Sequence, residues 1–245
     1  MARPPRLQSV SGYYHVILRG NNKQILFESR KDARVFLFLL KKYKAITPLN
    51  LLAYCLMDNH VHLLIHDDKQ NLTGYMRRVE ISYARYFQET HTHIGHLFQD
   101  RFRSIEISDE RQLLAAYRYI LLNPEKAGLA GATEYRWNSF HDYDKTDGIS
   151  SPGIIKDLIG SKDSLRSFLY SDYGTEYFAV SGKRINDADA ITILKTLSGL
   201  TDVFELNGLN PQTRNRILRE ALKRGISIRQ LSRITGVGKG VIQKL

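Results

Sequence analysis

Two histidines one residue apart, and a tyrosine and an asparagine four residues apart, are the side chains here whose types and spacing could do chemistry. The first pair is His60 and His62 in MDNHVHLLIH, and the second is Tyr119 and Asn123 in AYRYILLNP. Side chains two apart on a β-strand point to the same face, so the two imidazoles can grip one divalent cation while Val61 turns away. The plain alternative is a pair of core or edge histidines satisfied by hydrogen bonds. For the helix expected over Asp109 to Asn123, about 100° per residue puts Leu113, Tyr117 and Ile120 on one core stripe, with Leu121 at its margin. Tyr119 sits about 160° from Tyr117 by the same geometry, and Asn123 lies within its reach one turn on. Ala115 and Ala116 leave that flank open. A phenol and a carboxamide oxygen so placed, facing two imidazoles, make a metal site beside a nucleophile. Without that facing strand, Tyr119 is a partly exposed aromatic and Asn123 a helix-end residue before a proline.

The elements that must position these groups read as an α+β fold. YYHVILR (13–19) is a strand, and RKDARVFLFLLKKYKAI (30–46) has the apolar spacing of a helix. NLLAYCLM and HVHLLIH are strands joined by a tight turn at Asp58 and Asn59, a hairpin signal. A long helix follows from about residue 71 to 89, then a strand over RFRSIEI (101–107) and a helix opening near Ser108 and Asp109, residue types that cap helices. The order β-α-β-β-α-β-α predicts an antiparallel sheet with helices on one face, a split β-α-β arrangement. Pro124 is expected to end the last helix, and TDGISSPG (146–153) reads as a linker. Expected domain limits are 1–145, then 146–210 as linker and short helices, then 211–245.

Composition narrows the function classes. Of 245 residues 42% are hydrophobic and 25% charged, which is the balance of an ordinary folded protein. No apolar run approaches the ~18 residues of a membrane span, and MARPPRLQSVSG lacks the apolar stretch of a secretory signal. No membrane association and a cytoplasmic location are the expectations. The single cysteine, Cys55, excludes disulfides and cysteine-rich zinc sites within the chain. A net charge of +11 and a pI near 9.7 point to a polyanionic partner. The excess concentrates after Pro211, where nine Lys and Arg stand against one acid, Glu220. That tail reads as three short helices, the last two separated by Gly236-Val237-Gly238. An inner face of Ile228, Leu231, Ile234, Val241 and Leu245 gives it the pattern of a helix-turn-helix.

YYHVILRGNN, DNHVHLLI, YARYF followed by GHLFQDRFRS, and YILLNPEKAGL together resemble the single-tyrosine HUH transposases, in particular the REP-associated tyrosine transposases. The resemblance spans roughly residues 10 to 145, and the conjunction is specific where each piece alone is not. It implies the ferredoxin-like HUH fold, with His60, His62 and Asn123 as metal ligands and Tyr119 as nucleophile. Mg2+ or Mn2+ is implied by the resemblance alone, because imidazole ligands would also suit zinc or nickel. The implied reaction is cleavage of single-stranded or hairpin DNA through a 5′-phosphotyrosine link. Two departures stand out: Asp58 occupies a position where the family commonly has proline, and Glu125 one where it has an apolar residue. SIRQLSRITGVGKGVIQKL resembles the DNA-binding end of the replication initiator DnaA, over about the last thirty residues.

Further candidates follow. Phe98 and Phe102 could stack bases while Arg101 and Arg103 meet phosphates, with core packing as the alternative for the phenylalanines. Arg229, Arg233, Lys239 and Lys244 are the candidate DNA contacts of the tail. His15 is a candidate to support the ligand histidines without binding the metal. His91 and His93, in THTHIGH, form a second His-x-His expected at the surface or on DNA. His66 lies too far along its strand to join the first pair, and Trp137 reads as a packed anchor. A non-catalytic nucleic-acid binder and a domesticated regulator are competing readings, and a homodimer is compatible with the sequence.

Overall fold

Four runs rich in apolar, β-branched and aromatic residues pair into one sheet in the computed structural model, which describes residues 9–171, 173 and 187–245, without the side chains of 188, 189 and 223. These are β1 (Tyr13–Arg19), β2 (Asn50–Met57), β3 (His60–His66) and β4 (Arg103–Ile107). Their order is β2-β3-β1-β4 and every neighbouring pair is antiparallel. That is the split β-α-β order. Helix α1 (Arg30–Lys44) joins β1 to β2, and α2 (Leu72–His91) joins β3 to β4. A capping box between Ser29 and Asp32 starts α1.

The faces of the sheet carry different partners. Val16, Leu18, Leu56, Val61, Leu63 and Ile65 pack with α1 and α2 in one core. The odd residues of β1 and the even residues of β3 face the other way, and α3 (Glu110–Lys126) covers β2 and β3 on that side. Helices therefore flank both faces: α1 and α2 take the expected one and α3 the opposite one. Burial from two sides explains why β2 is a nearly continuous apolar run and why the interior of β3 is buried throughout.

Helix α3 departs from its expected outline in two ways. It runs through Pro124 to Lys126, since a proline in the last turn forfeits one hydrogen bond but the chain still closes. Gly128, at φ +70°, ends it with bonds from Gly128 N–H to Glu125 O and from Leu129 N–H to Pro124 O, a Schellman ending. It is also buried on more than one stripe, Ala115, Ala116 and Arg118 included. Two short helices follow in the chain, α4 (Gly153–Ile159) and α5 (Lys162–Leu169); α5 packs against α3, and its terminal carbonyls receive the Arg118 guanidinium: Nε donates to Leu169 O at 2.8 Å and Phe168 O at 3.3 Å.

The chain divides into two compact units, Met1–Thr175 and Glu176–Leu245. Residues 146–153 are pinned rather than free. The buried Asp142 carboxylate accepts from Ile149 N–H and Ser150 N–H at 3.0 and 3.1 Å, and Ser151 N–H donates to Leu51 O at 2.8 Å. Lys44 Nζ reaches Ile149 O at 2.8 Å. The second unit is helical among its described residues. α6 (Asp187–Ser198), α7 (Pro211–Lys223), α8 (Ile228–Thr235) and the short α9 (Lys239–Ile242) enclose a core that includes Leu194, Leu218, Leu231, Ile234 and Ile242. Val241, expected inside, is 40% exposed, and Ile242 takes the inner position one residue on. Among the described residues no helix is long and apolar enough to cross a membrane.

Candidate functional site

Strand register builds the site. His62 pairs with Ile17 on one side and Cys55 on the other, His60 pairs with Arg19 and Met57, and Ile17 pairs in turn with Arg103. Cross-strand partners share a face, so Arg19 and Arg103 stand on the same face as the two imidazoles. The His60 and His62 rings lie 4.9 Å apart and nearly perpendicular, at 85°. Tyr119 descends from α3 onto this face: its ring centroid is 5.5 Å from that of His62 and 5.7 Å from that of His15. Asn123, one turn along α3, is buried and donates Nδ2 to the Tyr119 carbonyl at 2.9 Å.

The donor chemistry fits a cation. Asn59 Oδ1 lies 2.7 Å from His60 Nδ1 and can only accept, so His60 keeps its proton on Nδ1 and a lone pair on Nε2. His62 Nδ1 lies 2.9 Å from His15 Nε2, and when His62 donates there its own Nε2 is a lone pair as well. Burial, with the charge of Arg19, lowers His60 to about 4, and burial, with Arg103, lowers His15 to about 3. Burial, then the neighbouring His15, His60 and Arg19, hold His62 well below the ordinary imidazole range. All three rings are thus neutral at pH 7, the state that metal ligation requires. Among the described residues no three His, Cys, Asp or Glu side chains come together as a metal cage. A third protein donor would therefore be an amide oxygen, and the Asn123 contact with Tyr119 O uses its amide nitrogen and leaves that oxygen for the role.

Residues 8–123 match the family model described as "Transposase IS200 like". The match contains both histidines and the tyrosine, and it ends on Asn123. Two solved structures are similar to the chain. A REP-associated tyrosine transposase bound to a REP hairpin aligns over 58% of this chain and 84% of its own, at 17% identity and a TM-score of 0.49. A candidate transposase from Deinococcus radiodurans R1 aligns over 53% and 99%, at 15% identity and a TM-score of 0.35. No curated protein sequence matches the chain.

Two cations of the first unit escape a reading by local pattern. Arg19 faces the site only through the β1–β3 register. Lys126 Nζ lies 5.3 Å from the Tyr119 ring centroid, a cation over an aromatic ring two turns along the same helix; a helix taken to stop at Pro124 hides it. His15 stands where a supporting role requires, against His62.

Other candidates have different fates. Arg101 and Arg103 are exposed. Phe98 is partly buried and packs against the α1–α2 core with its ring 6.4 Å from Tyr83, and Phe102 is buried in that core. His91, expected at the surface or on DNA, is held by two carboxylates. It lies between Asp32 Oδ1 at 3.1 Å and Glu28 Oε2 at 3.3 Å, with its ring against Phe87 at 4.4 Å. His66 pairs instead with Asp68 at 3.0 Å and stacks on Tyr13. In the second unit Arg229, Lys239 and Lys244 are exposed, whereas Arg233 is engaged by Asp187 through both terminal guanidinium nitrogens.

Proposed function

We propose that the protein is a single-strand DNA transesterase whose nucleophile is Tyr119. The observation that carries this reading is the position of the Tyr119 ring against the His62 and His15 rings of its own chain. The phenolic oxygen attacks a backbone phosphorus and its proton passes to solvent. The phosphorus–O3′ bond breaks, leaving a free 3′-OH and a 5′-phosphotyrosine link. Attack by a 3′-OH on that link reverses the step, so rejoining needs no nucleotide cofactor. A phenol with an ordinary pKa near 10 is a weak nucleophile at pH 7, so alignment and charge stabilisation have to supply the rate.

His60 and His62, with the Asn123 amide oxygen, would hold the cation, and Mg2+ or Mn2+ is the choice made by family resemblance. When bound, such an ion polarises the phosphate and stabilises the departing 3′-oxygen. The chain's own groups do the rest. His15 and Asn59 orient the imidazoles, and Arg19, Arg103 and Lys126 supply positive charge around a phosphate. Hairpin-forming strands are the substrate class that the resemblance implies, and the exposed Arg229, Lys239 and Lys244 would add sequence-independent phosphate contacts.

The test is incubation of the full chain with end-labelled single-stranded hairpin oligonucleotides and Mn2+, resolved on a denaturing gel. A band of covalent protein–DNA that disappears in Tyr119→Phe is expected. Binding without such a band, over a range of metals and hairpins, would make the protein a non-catalytic DNA binder.

A further inference from the structure

A cavity of about 210 Å3 opens beside the turn that carries the histidine pair, and the mechanism above does not use it. Phe27, Tyr135 and Trp137 contribute aromatic walls, Ser29 and Arg30 line it from the start of α1, and Asp58 lines it from the β2–β3 turn. Hydrogen bonds to backbone carbonyls hold these walls. Leu26 N–H donates to Asp58 O at 2.6 Å, Leu56 N–H to Trp137 O at 2.9 Å, and the Tyr135 hydroxyl to Leu56 O at 2.8 Å. Phe27 is braced from behind by Phe36 and Tyr83, at ring distances of 5.5 and 5.7 Å. The space is therefore built in advance, and it is smaller than the ~300–1,000 Å3 of sites for larger ligands.

The polar groups narrow the occupant. Glu28 is turned to His91, while Arg30 and Asp58 are exposed. A carboxylate only accepts hydrogen bonds. Aromatic side chains stack any base, but only cytosine, adenine and guanine carry an exocyclic amino group to donate to a carboxylate, whereas an unpaired thymine offers it only the ring N3–H. We propose, resting on the single-strand DNA reading above, that this cavity takes one unpaired nucleobase of the bound strand, with Asp58 selecting a base that bears an amino group. Asp58 lies two residues before His60, and Asn59 between them accepts the His60 Nδ1 hydrogen. The base-reading residue and a metal-side imidazole thus share one turn, which places base selection next to the reacting phosphate.

Trp137 is the chain's only tryptophan and so reports on the cavity by its own fluorescence. The full chain is titrated with a deoxythymidine decamer and with the same decamer carrying one central dC, dA or dG. A saturable change in Trp137 emission is expected, with at least one amino-bearing decamer binding about tenfold tighter than all-thymine, the discrimination given by one base-edge contact. Asp58→Ala should close that gap while leaving thymine binding unchanged. Saturable emission changes without base preference, a preference that survives Asp58→Ala, or no emission change at all would each overturn the assignment. Cleavage is not needed for this readout. A protein that shows the preference but forms no covalent adduct keeps the cavity and loses the transesterase reading, and an adduct without the preference does the reverse.

Discussion

His15 Nε2 lies 2.9 Å from His62 Nδ1, diagonally across the β1–β3 pair, with both rings buried. A partner of this kind fixes the tautomer and orientation of a ligand imidazole, and its removal typically costs ~10–100-fold in metal affinity or activity. His15→Ala should slow metal-dependent cleavage by about that factor, with part of the loss recovered as Mn2+ is raised. A metal titration of the cleavage rate checks it, and a loss that no metal concentration touches would reassign His15 to packing alone.

The same cluster sets an acid limit on stability. Folded His15 and His60 take up protons only near 3 and 4, whereas an unfolded imidazole does so near 6.5. From about pH 6.5 down to 4 the unfolded state therefore binds more protons, so stability falls on acidification through that window and returns as pH rises. With chelator present, the urea midpoint should drop between pH 7 and 5, and drop less in His15→Gln.

Arg118 ties the nucleophile's helix to the end of α5, donating to the Phe168 and Leu169 carbonyls and to Ser171 O. Arg118→Leu takes the donor from the buried Leu169 carbonyl, at a cost of about 1–3 kcal/mol. Lysine lacks the planar fork of donors and should not restore it. Urea denaturation of the two variants measures the difference.

Arg19 and Arg103 flank the histidine pair by register. If they meet phosphates, replacing either by alanine should weaken single-strand binding uniformly across sequences and reduce the salt slope by about 0.7. Arg233→Ala should leave the slope unchanged, since its charge is already matched by Asp187. Binding isotherms at several salt concentrations separate the two cases.

Much of the fold was legible because its signals are local. Period-two alternation placed His60 and His62 on one face, capping residues marked the starts of helices, and the helical wheel set Tyr119 and Asn123 together off the Tyr117 stripe. What escaped depends on contacts between segments far apart in the chain. Arg19 joins the site through a register that neither strand specifies alone. His91 looked like a loop histidine because its carboxylate partners come from the start of α1. TDGISSPG has the composition of a linker, yet the buried Asp142 fastens it. Lys126 was hidden by treating Pro124 as a stop, although a last-turn proline is tolerated when a glycine such as Gly128 closes the helix.

Crystals grown or soaked with Mn2+, with data collected for the anomalous signal of manganese, test most directly whether the imidazole pair, the carboxamide and the phenol serve one centre. An anomalous peak bonded to Nε2 of His60, Nε2 of His62 and Oδ1 of Asn123, with the Tyr119 hydroxyl beside it, is the expected result. Manganese bound elsewhere while these three atoms stay unligated at saturating metal would contradict it.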